Sequence, residues 1–270
     1  MNGIFKDWPT TQAKNVQRLR DAEKKGRLDF VLYGDSISSF HYGYTVSSKN
    51  PGSDVVWKKY FGSLNAVPLA IPGDQIGQVI WRLQKGNEQP KEDPRVVGFL
   101  IGINDCIRFG EDKTQPRVPP TTERMKQLLE WVRKNMPTSA VLVCGLTPIT
   151  NTERLADRAA LNTAYKSLAE SFRRKGMRIS YVECGASISN ADGTPKSATY
   201  LSDTVHLTSK GHDAVLKAMR TAVDNLRGGS ESPVTTVPKT RRPILLAAAA
   251  SIVVFSCMCL MSGLLLVSMR

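Results

Sequence analysis

The hydrophobic pattern of residues 1–226 alternates between two periods. Short, continuous apolar runs that predict buried strands occupy residues 28–33, 67–71, 96–101, 141–144 and 179–182. Segments whose apolar residues recur at helical spacing occupy residues 75–84, 122–136, 153–175 and 209–226. Strands that alternate with helices predict an α/β fold in which helices cover both faces of one parallel sheet.

Small and polar residues follow three of the predicted strands. Gly34-Asp35-Ser36 follows the first strand, Gly73 the second, and the sequence Gly-Ile-Asn-Asp at 102–105 the third. Ligands of parallel α/β sheets bind outside the carboxyl ends of the strands. We therefore expect these three blocks to share one edge of the sheet.

The C-terminal part of the chain has a different composition. Residues 244–267 contain no charged residue, and as a helix they would span about 36 Å, more than the roughly 30 Å hydrocarbon core of a bilayer. The sequence therefore predicts a transmembrane helix over 243–267. A flexible linker rich in Gly, Ser, Thr and Pro is predicted over 227–242, after a single globular domain at 1–226.

Basic residues flank the predicted transmembrane helix unequally. Lys239, Arg241 and Arg242 precede it, whereas only Arg270 follows it. This asymmetry favours a cytoplasmic N-terminal domain. The first thirty residues contain no apolar stretch of the kind found in a secretory signal peptide. The expected localisation is a membrane, with a single C-terminal anchor and the domain facing the cytoplasm.

The composition limits the expected partners. The chain has 37 basic and 24 acidic residues, a net charge of +13. A basic surface attracts anionic partners, but the Lys and Arg residues are scattered and no zinc-ligand spacing or RNA-binding aromatic motif is present, so nucleic acid is not expected. Cys106, Cys144 and Cys184 lack CxxC spacing, which indicates neither a zinc site nor a disulfide framework.

Candidate acid–base chemistry lies near the end of the domain. His206 follows Asp203 by three residues, and an Asp at this spacing can accept the Nδ1 proton and leave Nε2 free to take a proton from a serine. The alternative is a helix-capping Asp beside an incidental His. Of the other two histidines, His212 is expected to cap or pack, and His41 to have a structural or substrate-rim role.

A serine nucleophile also needs hydrogen-bond donors for the oxyanion that forms during attack. The turn after the first predicted strand would expose the backbone N–H of Ser36. Gly73 could present a second N–H because no side chain blocks the approach. The side-chain amide of Asn104 is a third candidate.

Taken in order, these blocks resemble those of the SGNH (GDSL-like) esterase/lipase superfamily over about residues 27–225. The residues that carry the resemblance are Gly34-Asp35-Ser36, Gly73, Gly102-x-Asn104-Asp105 and Asp203-x-x-His206. Within the superfamily, Trp81-Arg82-Leu83 followed by Gly86 is similar to the catalytic subunits of intracellular platelet-activating-factor acetylhydrolase.

The resemblance implies an SGNH-type hydrolase domain with a flavodoxin-like three-layer α/β/α sandwich. It implies hydrolysis of a carboxylic ester, a lipid or a small molecule with a short acyl group, without metal or other cofactor. By position, Ser36 is the nucleophile, His206 the base and Asp203 its orienter. Ser36, Gly73 and Asn104 form the oxyanion hole. A homodimer is compatible with the resemblance.

Other features of the pattern concern neighbouring residues. Asp35 is expected to hold the nucleophile loop through hydrogen bonds without taking part in catalysis. Asp105 and the sequence SISSFHYGY after Asp35 depart from the acetylhydrolase pattern, and both departures bear on the shape of the acyl pocket.

Two functions from other classes stay open at this point. One is a membrane-tethered pseudoenzyme or scaffold that keeps the hydrolase fold without catalysis. The other is a metallophosphoesterase, a class that also uses Gly-Asp and Gly-Asn motifs. Such sites usually draw on several histidines, whereas this chain has three in total.

Overall fold

The structure, a computed structural model, describes residues 7–43, 53–107 and 116–228. One five-stranded sheet runs through these residues, with β1 at Phe30–Gly34, β2 at Ala66–Ala70, β3 at Val96–Leu100, β4 at Ala140–Cys144 and β5 at Ile179–Val182. Every neighbouring pair is parallel, and the strand order is β2-β1-β3-β4-β5. The predicted parallel sheet is confirmed, with strand boundaries within about two residues of those expected.

The central strands are apolar along their whole length because both of their faces are covered. Every residue of β1, β3 and β4 is buried. In β1, Leu32 pairs with Pro68 of β2 on one side and with Gly98 of β3 on the other. Continuous burial explains why these strands appear in the sequence as unbroken apolar runs.

Eight α-helices accompany the strands in the described residues. They are α1 at Trp8–Glu23, α2 at Ser36–Ser39, α3 at Asp54–Phe61, α4 at Ile76–Gln84, α5 at Ile103–Ile107, α6 at Val118–Asn135, α7 at Leu155–Arg174 and α8 at Ser209–Gly228. The apolar periodicity predicted α4, α6, α7 and α8. It missed α1, which buries only Asn15, Leu19 and Ala22 and therefore lacks a continuous apolar stripe.

The helices form a layer on each face of the sheet. Helices α3 and α8 pack together on one side, where α8 covers β3, β4 and β5. Helix α1 packs on β2 and α7 on β5 on the other side, with α6 between α4 and α7. The three-layer α/β/α arrangement is thus confirmed. The strand order reverses between β1 and β3, and the turns after these two strands carry Ser36 and Asn104.

The C-terminal predictions lie largely outside the described part of the chain. Helix α8 ends at Gly228, two residues into the predicted linker. The rest of that linker and the whole predicted transmembrane segment, 243–267, fall outside the described residues. Among the helices of the ranges 7–43, 53–107 and 116–228, none is long and apolar enough to cross a membrane.

Candidate active site

The turn after β1 presents Ser36 at the first position of α2. Asp35 caps this short helix, because its carboxylate accepts a hydrogen bond of 3.0 Å from the backbone N–H of Ile37. The Ser39 hydroxyl donates to the carbonyl of Ser36 at 2.7 Å. These bonds hold the serine at the edge of the sheet, and Asp35 occupies the loop-holding position that the sequence predicted for it.

Gly34 is needed in this turn because the surrounding chain approaches it closely. A Cβ atom at this position would lie 2.2 Å from Ser38 Oγ and 2.8 Å from the carbonyl oxygen of Leu100. No real Cβ tolerates such distances, so a side chain here would push β1, α2 and β3 apart. The glycine permits the sharp exit from β1 by giving space to its neighbours.

The structure brings Ser36, His206 and Asp203 together, although the serine and the histidine are 170 positions apart. His206 Nε2 lies 2.9 Å from Ser36 Oγ, and His206 Nδ1 lies 2.7 Å from Asp203 Oδ2. The second carboxylate oxygen accepts the backbone N–H groups of His206, at 2.8 Å, and Val205, at 2.9 Å. Asp203 therefore both fixes the turn and orients the imidazole.

The ionisation of Asp203 is set by these contacts. Burial opposes the charged form, but the hydrogen bonds from the His206 side chain and from the two backbone N–H groups outweigh it and lower the pKa of Asp203 to about 2. Its side chain is 44% exposed and that of His206 is 17% exposed. The carboxylate thus stays charged beside a ring that solvent and substrate can reach.

Three candidate donors for an oxyanion lie at this edge of the sheet. Within the described residues, the backbone N–H groups of Ser36 and Gly73 donate to no protein acceptor. Gly73 has a φ of +80°, a left-handed conformation that favours glycine. The Asn104 side-chain amide donates to the carbonyl of Asp74 at 2.9 Å, and its second amide hydrogen is available for another acceptor.

Asp105, the departure from the acetylhydrolase pattern, has a structural environment. Its buried carboxylate accepts the backbone N–H of Ile76, at the start of α4, at 3.0 Å. Arg124 of α6 contacts the other oxygen at 3.2 Å. Asp105 therefore links the turn after β3 to α4 and α6. These contacts indicate a structural role and not a catalytic one.

The other two histidines lie in the interior. His41 Nε2 and His212 Nδ1 are 3.3 Å apart, and both side chains are buried. Burial lowers the pKa of both rings, that of His212 to about 3, so both are neutral. His212 packs, as expected, and the burial of His41 against it favours the structural role for His41. The Phe40 ring lies against both His206 and His212.

Sequence reasoning missed a fully buried group of charges behind the candidate oxyanion donors. Arg82, Asp74 and Glu88, here called the buried cluster, are each 0% exposed. Arg82 follows Val79 by three residues on the inward face of α4, so a cation at an apolar helical position was the available signal.

In the described ranges, no group of three or more His, Cys, Asp or Glu side chains could hold a metal ion.

Comparisons with known proteins identify relatives of similar sequence. A relative from Rattus norvegicus, platelet-activating factor acetylhydrolase IB subunit alpha1, is 23% identical over 217 residues, which cover 75% of this chain and 88% of the relative. The alpha2 subunit from Gallus gallus is 22% identical over 219 residues, 81% of this chain and 84% of that protein.

Solved structures show the same fold. A Streptococcus pneumonia protein, named as a proposed platelet activating factor, has a TM-score of 0.64 at 18% identity, covering 81% of this chain and 93% of its own. A catalytic mutant of an acetylxylan esterase from Geobacillus stearothermophilus has a TM-score of 0.54 at 16% identity, with coverage of 72% and 93%.

The family itself follows from a match over more than half of the chain. The sequence profile of the GDSL-like lipase/acylhydrolase family matches residues 32–214, which span the turn after β1, the oxyanion candidates and the Asp203–His206 pair. The chain belongs to the GDSL-like lipase/acylhydrolase family of the SGNH superfamily and is a hydrolase that acts on ester bonds.

Proposed function

We propose that this protein is a serine esterase that cleaves carboxylic esters through an acyl-enzyme on Ser36. The observation that carries the proposal is the continuous chain of hydrogen bonds from Ser36 Oγ through His206 to Asp203. This geometry provides a nucleophile, a base within reach of its proton, and a carboxylate that fixes the tautomer of the base.

In the first step, Ser36 Oγ attacks the carbonyl carbon while His206 Nε2 takes the hydroxyl proton. The new C–O bond pushes the carbonyl electrons onto oxygen, where the N–H groups of Ser36 and Gly73 and the Asn104 amide stabilise the negative charge. The tetrahedral intermediate collapses when His206 returns its proton to the leaving alkoxide. The alcohol departs, and an acyl-serine remains.

In the second step, water replaces the alcohol. His206 removes a proton from the water as its oxygen attacks the acyl carbon, and the same donors stabilise the second tetrahedral intermediate. Return of the proton to Ser36 Oγ breaks the ester bond and releases the carboxylic acid. Asp203 stays ionised in both steps, because its pKa of about 2 lies far below neutral pH.

The proposed substrates are esters with short acyl groups, acetyl above all, on a lipid or a small molecule. The names of the similar proteins support this range, since they include platelet-activating factor acetylhydrolase subunits and an acetylxylan esterase. A panel of activated esters with acyl chains of increasing length tests it. Rates that fall steeply beyond the acetyl ester are expected, whereas equal rates for long acyl chains contradict the proposal.

The proposed location is a membrane, with residues 243–267 as a C-terminal anchor and the domain on the cytoplasmic face. The uncharged segment and the excess of basic residues before it support this topology. Protease added to sealed microsomes is expected to digest the domain. Protection of the domain from protease in intact vesicles would contradict the orientation.

The test of the esterase function is hydrolysis of an activated acetyl ester by the detergent-solubilised full chain. Ser36→Ala is expected to abolish turnover, leaving the rate at the background of the uncatalysed reaction. Ser38→Ala is the matched control, because Ser38 lies in the same short helix and its hydroxyl contacts neither His206 nor Asp203. Undiminished turnover by Ser36→Ala would remove Ser36 from its role, and an inactive wild type would favour the scaffold alternative.

A further inference from the structure

The buried cluster places a guanidinium group directly behind the nucleophile and the oxyanion donors. Removing a charge from water costs several kcal/mol unless partners compensate it, and the cluster compensates Arg82 on three sides. Glu88 accepts two hydrogen bonds, from Nε at 3.1 Å and from a terminal nitrogen at 2.6 Å. The other terminal nitrogen donates to Asp74 Oδ2 at 2.8 Å and to the carbonyl of Gly34 at 3.4 Å.

These bonds join the backbone segments that carry the proposed chemistry. Gly34 is the last residue of β1, two residues before Ser36. Asp74 directly follows Gly73, and its backbone carbonyl holds the Asn104 amide at 2.9 Å. Arg82 is therefore linked to each proposed oxyanion donor, through Gly34 to Ser36 and through Asp74 to Gly73 and Asn104.

The carboxylate of Asp74 is held on both sides. Arg82 contacts Oδ2, and the indole N–H of Trp8 donates to Oδ1 at 2.6 Å. Trp8 in turn packs edge-on against Trp81, the neighbour of Arg82, with ring centroids 5.5 Å apart. The turn that contains Gly73 and Asp74 is thus fixed by α1 and α4 together.

The two carboxyl groups of the buried cluster keep Arg82 positively charged. Burial favours loss of the Arg82 proton, but the carboxyl groups of Glu88 and Asp74 outweigh it and raise the pKa of Arg82. Burial also raises the pKa of Asp74, to about 6, against the opposing effect of Arg82. The planar fork of arginine matches the two oxygens of Glu88 and still reaches two further acceptors, which a lysine ammonium cannot do.

We propose that Arg82 is a positioning residue for the esterase reaction, which sets the distance between Ser36 and the oxyanion donors at Gly73 and Asn104. The proposal rests on the function proposed above. Its physical basis is that the oxyanion donors act only when they are aligned before the reaction, and that a misplacement of about 1 Å can reduce a rate about a hundredfold.

The principal test is Arg82→Lys in the full chain, compared with Arg158→Lys. Arg158 is a matched control because it is also buried and donates to the carbonyl of Thr147 at 2.7 Å, but it contacts none of Gly34, Asp74 or Glu88. We expect kcat of Arg82→Lys to fall about 10- to 100-fold with KM changed less than about threefold. Arg158→Lys should keep the wild-type kcat.

A second variant keeps the test decisive if Arg82→Lys does not fold. Asp74→Asn has the same shape and retains the backbone carbonyl that holds Asn104, but it weakens the contact with Arg82. It should lower kcat in the same direction while thermal unfolding remains cooperative. A folded Arg82→Lys or Asp74→Asn with unchanged kcat would overturn the proposal.

A double variant asks whether Arg82 acts through the oxyanion donors. If it does, Arg82→Lys should cost less in the Asn104→Ala background than in the wild type, because one of the two donors that it positions is already gone. Fully multiplicative losses would contradict this route.

Dependence of wild-type turnover on Ser36, measured alongside, separates the two proposals. Undiminished turnover by Ser36→Ala overturns both. Ser36-dependent turnover with an unchanged kcat in Arg82→Lys overturns only the positioning role of Arg82.

Discussion

The site has two acidic regions that differ in their exposure. On one side, Asp203 is 44% exposed and pairs with His206, which solvent can also reach. On the other side, Asp74 is completely buried and pairs with the equally buried Arg82. Each aspartate has a cationic or potentially cationic partner within 2.8 Å, yet the two pairs are suited to different tasks.

The difference shows that an exposed pair is suited to proton transfer, whereas a buried pair is suited to holding backbone segments in place. A ring that must accept and return a proton needs contact with substrate and water, and its carboxylate partner is kept ionised by hydrogen bonds, with a pKa of about 2. A guanidinium that never gives up its proton can be sealed inside the protein and hold backbone segments. Substitutions on the exposed side should therefore act on the chemical step and leave folding intact.

Replacement of His206 should have the largest effect. His206→Ala removes the only base in contact with Ser36 Oγ among the described residues, and kcat is expected to fall about 10⁶-fold, as for removal of a triad histidine elsewhere. Steady-state hydrolysis of an activated acetyl ester measures the loss, with far-UV circular dichroism as the control for folding. A loss below about tenfold would contradict the assignment of the base.

Asp203→Asn should have the next largest effect, with kcat lower by about 10⁴-fold, because an amide donates to Nδ1 of His206 and selects the wrong tautomer.

The wild-type pH profile tests the ionisation of Asp203. The pKa of Asp203 is lowered in the fold, so its stabilising contribution is present above the unfolded value near pH 4 and is lost only as the pH falls towards 2. Protonation of Asp203 should therefore not limit activity above about pH 4, which a profile of kcat against pH checks.

Asn104→Ala tests the proposed oxyanion donors, which we expect the buried side to position. Loss of one preorganised donor costs about 10²- to 10³-fold in kcat, with KM nearly unchanged, because the donor acts on charge that develops during the reaction. Single-turnover measurement of acyl-enzyme formation should show the same loss. An effect confined to KM would indicate that Asn104 binds the ground state instead.

Asp35 should affect stability and its dependence on pH. Burial raises the pKa of Asp35 to about 7, with nearby Asp74 and Asp105 adding to the rise and Ile37 N–H and His206 opposing it. A raised pKa gives stability that is complete below the unfolded value near 4 and is lost as the pH rises through 7, about 4 kcal/mol in all. Thermal unfolding of Asp35→Asn should depend less on pH between 4 and 7 than the wild type. Identical pH dependence of unfolding in Asp35→Asn and the wild type would contradict the raised pKa of Asp35.

His212→Phe should have the smallest effect on turnover, within about threefold, because this ring is buried and takes no part in proton transfer. Its pKa is lowered to about 3, so the neutral ring contributes stability above about pH 6.5 that is lost as the pH falls towards 3. The variant should therefore lose less stability on acidification than the wild type. Unfolding temperatures at pH 7 and pH 5 measure the difference.

Much of the fold was predictable because burial leaves a clear pattern in the sequence. Strands such as β3 and β4 are covered on both faces, so they are apolar throughout. Helix α3, Asp54–Phe61, was missed because it has only eight residues, too few for a helical period to stand out from a short apolar run.

The sequence motifs also predicted which residues of the exposed side would meet, because a carboxylate and an imidazole at close spacing can interact within one turn. The buried side was not predictable in the same way. Arg82, Asp74 and Glu88 form a cluster only after α4 has packed under β1 and the turn at Gly73, and the apolar helical position of Arg82 does not identify its buried partners. Tertiary contacts determine that environment.

Labelling of the full chain with a fluorophosphonate probe, followed by mass spectrometry of the labelled peptide, tests directly whether Ser36 is an activated nucleophile. An activated serine reacts fast with such a probe, whereas an ordinary serine does not. We expect a single adduct on Ser36 that forms at least a hundredfold more slowly in His206→Ala. Labelling at a different serine, or equal rates in the wild type and His206→Ala, would contradict it.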